Sequence, residues 1–306
     1  MTVVAVIDVG TNSANLLVVG PDGNDLVRTV ASTRLGETLH TDGTLGDAAI
    51  DRTVDTIVGH VATARGLGAT DIRIVGTAAC RRARNTADFA ARVRDATGID
   101  LTVLSEKDEA ELGFEGALTG LPPVVGPTLV VDIGGGSTEY TVGVLAAEMS
   151  VSIPFGAVTA TASHISRPER AASPADLTNL IGAVSDELEE IGRTIPAIAS
   201  PARVVGVAGT IVTVAAVEIG LAEFDDAQLH GFALTRGAAE DVFRTLATED
   251  IDQRRTNPGL PADRADIIVA GCCILVATMR RLQIDEMTVS TRSLLDGVAH
   301  RARLTT

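Results

Sequence analysis

The sequence predicts an α/β fold made of two related domains, each a mixed, mostly parallel sheet covered by helices. Three observations predict it. Residues 3–19, VVAVIDVGTNSANLLVV, and residues 128–145, TLVVDIGGGSTEYTVGVL, echo each other at the head of each half of the 306-residue chain. After each echo, strand-like and helix-like patterns alternate, as in a sheet with helical crossovers. Between the halves, Leu121-Pro122-Pro123 through Gly126-Pro127 reads as a linker. The expected domains are residues 1–123 and 124–306, with the final helix free to pack back on the first.

Each echo is an apolar β-branched run, Asp-x-Gly, a short Gly/Ser/Thr/Asn turn and a second apolar run, hence a strand, a tight turn and a returning strand. LVRTVASTRLGE then reads as a third strand. Leu45, Ile50, Val54, Ile57, Val58 and Val61 recur at helical spacing, and Gly66 and Gly68 end the run. DIRIVGTAA reads as a strand, TADFAARVRDATG as a helix closed by Gly98, IDLTVLS as a strand and EKDEAELGFEGALTGL as a helix. The second half gives three strands to about Phe155, helices, the strand RVVGVAG, more helices, the strand EMTVS and a last helix.

Composition narrows the function. Hydrophobic residues are 45% and charged residues 21%, a globular profile, while aromatics are 2%, so Val, Ile, Leu and Ala must fill the cores. No apolar run is long enough to span a bilayer and none near the start has a basic flank, so a cytoplasmic protein is expected. A net charge of −15 disfavours nucleic acid and membrane surfaces. Lys107 is the only lysine, which removes the P-loop GxxxxGK(S/T) and leaves arginine to bind any anion. Cys80, Cys272 and Cys273 form neither a disulfide framework nor a zinc motif, and the scattered histidines give no triad.

The two turns carry the chemistry. In the first, Gly10 lets main chain approach a ligand, and Thr11, Asn12 and Ser13 add donors that suit phosphate oxygens. Asp8 beside phosphate makes sense with a divalent cation or a water between them. A plain hairpin would read the same way taken alone. Gly134, Gly135 and Gly136 sharpen the signal, because three glycines exceed what a turn needs. Asp132 and Glu139 flank them as hard oxygen ligands for Mg2+, and Ser137 and Thr138 supply hydroxyls. The acidic helix start Glu106–Glu111 suits the helix dipole, but one carboxylate there could also activate water, and Glu109 is the choice because Ala110, Gly113 and Gly116 keep its surroundings small. Arg81, Arg82 and Arg84 follow a strand at its C-terminal end, where α/β folds place ligands. Arg34, Arg264 and the strand-to-helix junction Val207-Ala208-Gly209-Thr210 are further candidate phosphate or nucleoside contacts.

Together these segments resemble the exopolyphosphatase/guanosine pentaphosphate phosphatase (Ppx/GppA) family over nearly the whole chain. AVIDVGTNSANLL resembles its first phosphate loop, TRLGETL its RLGE segment, and GTAACRRARN its arginine motif, placing the family arginine on Arg81 and its asparagine on Asn85. SEKDEAELGFEGAL resembles the segment carrying the proposed base, here Glu109; VDIGGGSTE matches the second phosphate loop; VAGTIVT and RADIIVAG complete the series. The resemblance implies two actin-like ATPase (ribonuclease H-like) domains with a cleft between them, and a short, two-domain member of the family acting as a homodimer. It implies that Glu109, Asp132 and Arg81 are catalytic, and that Asp8, Asp132 and Glu139 hold Mg2+ or another divalent cation. Gly10, Thr11, Asn12, Ser13, Arg34, Gly134, Gly135, Gly136, Ser137, Thr138, Gly209, Thr210 and Arg264 would bind phosphate. Ala78, Glu106 and the segment Ser290–Gly297 depart from the family pattern and leave substrate preference open. The expected activity is release of orthophosphate from short inorganic polyphosphate. The alternatives are a pppGpp 5′-phosphohydrolase, a small-molecule kinase and a non-catalytic sensor of (p)ppGpp or phosphate.

Overall fold

The computed structural model describes residues 2–194, 198 and 200–304. In chain order it runs β1 (Val4–Val9), β2 (Ser13–Val19), β3 (Asp25–Ser32), α1 (Leu39–Asp42), α2 (Asp47–Gly66), β4 (Asp71–Gly76), α3 (Ala78–Arg82), α4 (Thr86–Thr97), β5 (Leu101–Val103) and α5 (Glu106–Leu118). It continues with β6 (Thr128–Ile133), β7 (Thr138–Gly143), β8 (Ala147–Ile153), α6 (Ala157–His164), α7 (Pro174–Thr194), β9 (Arg203–Val207), α8 (Ala208–Ile219) and α9 (Asp226–Leu229). The last elements are β10 (Ala233–Thr235), α10 (Arg236–Thr248), α11 (Ile251–Arg254), α12 (Ile268–Arg281), β11 (Glu286–Val289) and α13 (Leu294–Leu304). They form two compact units: Met1–Gly116 with Ser293–Thr306, and Ala117–Arg292.

The first unit is a five-stranded mixed sheet ordered β3-β2-β1-β4-β5. β1 pairs antiparallel with β2 and parallel with β4. Because side chains alternate along a strand, Ala5, Ile7 and Val9 face α2 and α4 residues such as Ile57 and Phe89, while Val4 and Val6 face Leu112 of α5 and Val298 of α13. Both faces are covered, which is why β1 is apolar at almost every position. α5, which carries Glu109, is fixed closely: a Cβ on Gly116 would lie 1.8 Å from the Ser293 carbonyl oxygen, and one on Gly297 2.0 Å from that of Leu112. Only glycine permits this approach. Arg301 of α13 also pairs with Glu115 at 2.7 Å, and Arg28 of β3 with the buried Asp296 at 2.5 Å.

The second unit is a six-stranded sheet ordered β10-β11-β9-β6-β7-β8. β6 pairs antiparallel with β7 and parallel with β9, repeating the arrangement of β1 with β2 and β4. α12 is buried from Ile268 to Met279, so Cys272 and Cys273 serve as small core hydrophobes, and burial pushes the Cys272 thiol up to about 12. No helix among the described residues is long and apolar enough to cross a membrane.

Two differences from the sequence reading have local causes. The strand expected over DIRIVGTAA stops at Gly76, and Ala78 opens α3. There the chain folds back so tightly that a Cβ on Gly76 would sit 2.7 Å from Cys80 Sγ. β10 has three residues, too few for an alternation to register.

Candidate active site

The two turns that the sequence singled out have one design. In the first, Asp8 pairs with Asn15 across the ladder and Gly10 N–H donates to the Ser13 carbonyl at 2.9 Å. In the second, Asp132 pairs with Glu139 and Gly134 N–H donates to the Ser137 carbonyl at 3.1 Å. Asn15 is therefore the counterpart of Glu139. Laying one echo over the other would have revealed it in the sequence.

What lies behind each turn sets what it presents in front. The Thr11 carbonyl accepts from Gly36 N–H at 2.9 Å, and the Asn12 carbonyl from Thr33 and Arg34 N–H at 2.9 and 2.8 Å. Arg34 takes a left-handed φ of 51° to do so, and its side chain is exposed. In the second turn the Gly134 carbonyl accepts from Ala157 N–H at 2.9 Å, the Gly135 carbonyl from Val158 and Thr159 at 2.9 and 3.1 Å, and the Gly136 carbonyl from Thr159 Oγ1 at 3.0 Å. The first turn of α6 thus takes up all three glycine carbonyls. Among the described residues, the N–H groups of Thr11, Asn12, Gly135, Gly136 and Ser137 donate to no protein acceptor. Carbonyls held from one side and N–H groups unclaimed on the other make an anion cradle. Gly156 permits the close seat, since a Cβ there would lie 2.5 Å from Gly135 and from Ser137 N. Neither Gly156 nor Thr159 carried a sequence signal.

The acids fall into two groups. Asp8 is half-buried with its Oδ1 sealed from solvent, and burial first, then the Glu109 charge, push its carboxyl up to about 7, against a hydrogen bond from Asn15. Asp8 Oδ1 and Asn15 Oδ1 are buried without a hydrogen-bond partner. Two orphaned oxygen acceptors fit a cation or its hydration water. In the second unit Asp132 and Glu139 stand directly opposite on neighbouring strands, and like charges so placed repel. Ser137 and Ser152 hydroxyls hold Glu139 Oε1 at 2.5 and 2.9 Å. A bridging cation suits that pair too, although within neither unit do three or more His, Cys, Asp or Glu side chains gather as a metal cluster among the described residues. Mg2+ commonly takes only one or two carboxylates, with water and substrate oxygens completing its shell.

Glu109 and Arg81 meet. Arg81 Nη1 donates to Glu109 Oε2 and, at 3.1 Å, to the Leu104 carbonyl. Burial raises the Glu109 carboxyl above its ordinary value, and the Arg81 hydrogen bond and charge oppose the rise. The Arg81 Nε and Nη2 edge makes no bond among the described residues. Nearby Asn85 is structural: its amide both accepts from and donates to the Leu45 main chain, each at 2.9 Å.

The structure also joins two segments that the sequence flagged separately. Arg264 lies against Gly209 at the start of α8, where a Cβ would be 2.0 Å from Nη1. Ala208 beside it has a φ of 67°, a strained value for a residue with a side chain. Burial holds the Arg264 guanidinium below its usual range. One hydroxyl expected to touch phosphate is engaged elsewhere: Thr138 Oγ1 donates to the Phe155 carbonyl at 2.6 Å. Thr210 is buried beside Gly271.

Comparison with known proteins accords with this architecture. The profile of the Ppx/GppA phosphatase family matches residues 19–305. Exopolyphosphatase 2 of Mycobacterium tuberculosis is 31% identical, over 98% of this chain and 98% of its own. The guanosine-5′-triphosphate,3′-diphosphate pyrophosphatase of Vibrio atlanticus is 32% identical, over 97% of this chain and 58% of its own. The crystal structure of the Aquifex aeolicus Ppx/GppA family member superposes with a TM-score of 0.82 at 26% identity, covering 99% of this chain and 98% of that one. The fold is the actin-like ATPase fold of those structures. The chain belongs to the Ppx/GppA phosphatase family, a family of phosphoanhydride hydrolases.

Proposed function

We propose that this chain is an exopolyphosphatase that releases terminal orthophosphate from short inorganic polyphosphate with the help of Mg2+ or another divalent cation. The observation that supports it most is the Gly134–Ser137 turn, whose carbonyls are taken up by α6 while the N–H groups of Gly135, Gly136 and Ser137 are left for phosphate oxygens. The turn at Gly10, Thr11, Asn12 and Ser13 repeats the device. Asp8, Asp132 and Glu139 would hold the cation, which when bound neutralises phosphate charge.

Glu109 acts as general base. It takes a proton from water as the oxygen bonds to phosphorus, and the bridging P–O bond breaks with its electron pair leaving on the shortened chain. Its half-buried, raised carboxyl is a stronger base than a fully exposed one, and Arg81 aims it. The unengaged edge of Arg81 meets the charge that spreads over the phosphoryl oxygens. Asp132 helps orient the water. Arg34, and Arg264 on Gly209, bind further phosphates of the chain. A cytoplasmic homodimer goes with this reading.

Phosphate release from polyphosphates of defined length and from pppGpp, with Mg2+ and with EDTA, is the test. Short polyphosphates should be cleaved only with the cation, and Glu109→Gln should lower kcat by about 10²–10⁴-fold. Unchanged turnover in that variant removes Glu109 as the base, and release from neither substrate removes the hydrolase reading. The 32% identity to the Vibrio enzyme makes pppGpp the competing substrate, and a higher kcat/KM for it would make that the activity.

A further inference from the structure

Arg254, at the end of α11, is 1% exposed and is the largest of the fully buried side chains. Its guanidinium spends all five N–H bonds on main-chain carbonyls. Nη1 donates to Pro168 at 2.9 Å and Ala265 at 2.7 Å, Nη2 to Arg170 at 2.5 Å and Glu249 at 3.1 Å, and Nε to Glu249 at 3.1 Å. Among the described residues no carboxylate hydrogen-bonds to it, although the charges of Glu249, Asp250 and Asp266 favour it from nearby. Burying a cation against neutral carbonyls is costly, and an apolar side chain of similar volume would fill the space more cheaply. The five bonds do something packing cannot: they tie together the 168–170 segment, the end of α10 and the residue directly after Arg264.

That last tie bears on the phosphate contact. Arg264 lies across Gly209 with no room for a Cβ between them, so a small shift of its main chain would lift the guanidinium off the start of α8. The segment's other anchor is Gly259, whose φ is 83° and whose Cβ would lie 2.3 Å from the Ala216 carbonyl, on the far end of the same helix. Between Gly259 and α12, Arg254 clamps this main chain at the Ala265 carbonyl.

We propose that Arg254 is a positioning residue for anion binding: by holding the Ala265 carbonyl it fixes Arg264 over Gly209 at the α8 N-terminus. The inference rests on the reading of Arg264 and Gly209 as a phosphate contact.

The experiment uses Arg254→Lys, which keeps the charge with fewer donors, Arg254→Gln, Arg264→Ala and the Lys/Ala double variant. It combines hydrogen exchange of the full chain with tripolyphosphate kinetics. In Arg254→Lys, amide exchange should quicken in residues 255–267 and 168–172 and not in residues 1–116. KM should rise about 10-fold with kcat within about 3-fold, since remote misplacement of a substrate contact acts on binding. Arg254→Gln should raise KM further. In the Arg264→Ala background the Arg254→Lys effect on KM should fall below about 2-fold, the signature of residues acting as a unit. An undiminished effect in that background, or quickened exchange with unchanged KM, overturns the proposal and leaves the exopolyphosphatase reading standing. Unchanged KM in Arg264→Ala alone overturns the phosphate role of Arg264 and this proposal with it.

Discussion

Replacing Gly156 by alanine isolates the seat of the second glycine turn. Its backbone is extended, with φ −125° and ψ 169°, which alanine adopts without strain. The effect is therefore purely steric. The new Cβ would lie 2.5 Å from the Gly135 carbonyl carbon and oxygen and 2.5 Å from Ser137 N. Non-bonded carbon atoms settle at about 3.5–4.0 Å, so something must move by about 1 Å. The mobile party is the turn, because α6 is anchored at the other end of the same contact. Overpacking of this kind costs about 1–3 kcal/mol. In a unit of this size that lowers the melting temperature by about 2–10 °C. A phosphate cradle displaced by about 1 Å should lose up to about 10²-fold in kcat/KM. Phosphate release from tripolyphosphate and a thermal melt measure both. Gly182→Ala is the control, since nothing lies within 4 Å of its Cβ and the helix should gain about 0.5–1 kcal/mol. Wild-type kcat/KM in Gly156→Ala refutes the cradle.

Asp8 makes stability depend on pH. Its carboxyl is raised from 3.8 to about 7, so its contribution is full below about pH 3.8 and is lost as pH rises through about 7. Asp8→Asn should remove that loss, worth roughly 4 kcal/mol at pH 8 in EDTA, and urea melts at pH 5 and pH 8 that keep the wild-type difference would contradict it. Arg81→Ala removes the cation that opposes the rise of Glu109, so the acidic limb of the pH–rate profile should move to higher pH while kcat/KM falls by about 10³-fold or more. A stationary limb would mean that Glu109 is not the titrating base. Glu139→Gln relieves the repulsion with Asp132, and should make the EDTA-treated protein more stable by about 0.2–1 kcal/mol while weakening the rise in melting temperature on adding Mg2+; an undiminished Mg2+ response would place the cation elsewhere.

The echo of Asp-x-Gly turns made the architecture legible, because tight turns between apolar runs follow local rules that survive in sequence. The Gly98 stop is legible for the same reason: its φ of 75° is a glycine conformation that ends α4. Side-chain partnerships are not local. Arg81 and Glu109 read as separate tools, one for phosphate and one for water, and only the path through β4, β5 and α5 makes them a pair. Thr138 reads as a phosphate ligand because hydroxyls beside glycines usually are available. The strand pleat turns Thr138 to the Phe155 carbonyl. Arg254 looks like one more solvated charge in EDIDQRRTN, and its burial comes from segments more than 80 residues apart.

The two turns share a backbone but differ in charge, and the difference assigns them different work. Asp8 faces a neutral amide, and its carboxyl is raised to about 7, so it can stay protonated near neutral pH at little cost. Asp132 faces a second carboxylate, Glu139, to which two serine hydroxyls donate. A turn that keeps its acid neutral accepts phosphate without repulsion and needs no cation at rest. A turn that holds two facing carboxylates favours a cation before substrate arrives. Divalent metal should therefore bind the second unit's turn before it binds beside Asp8.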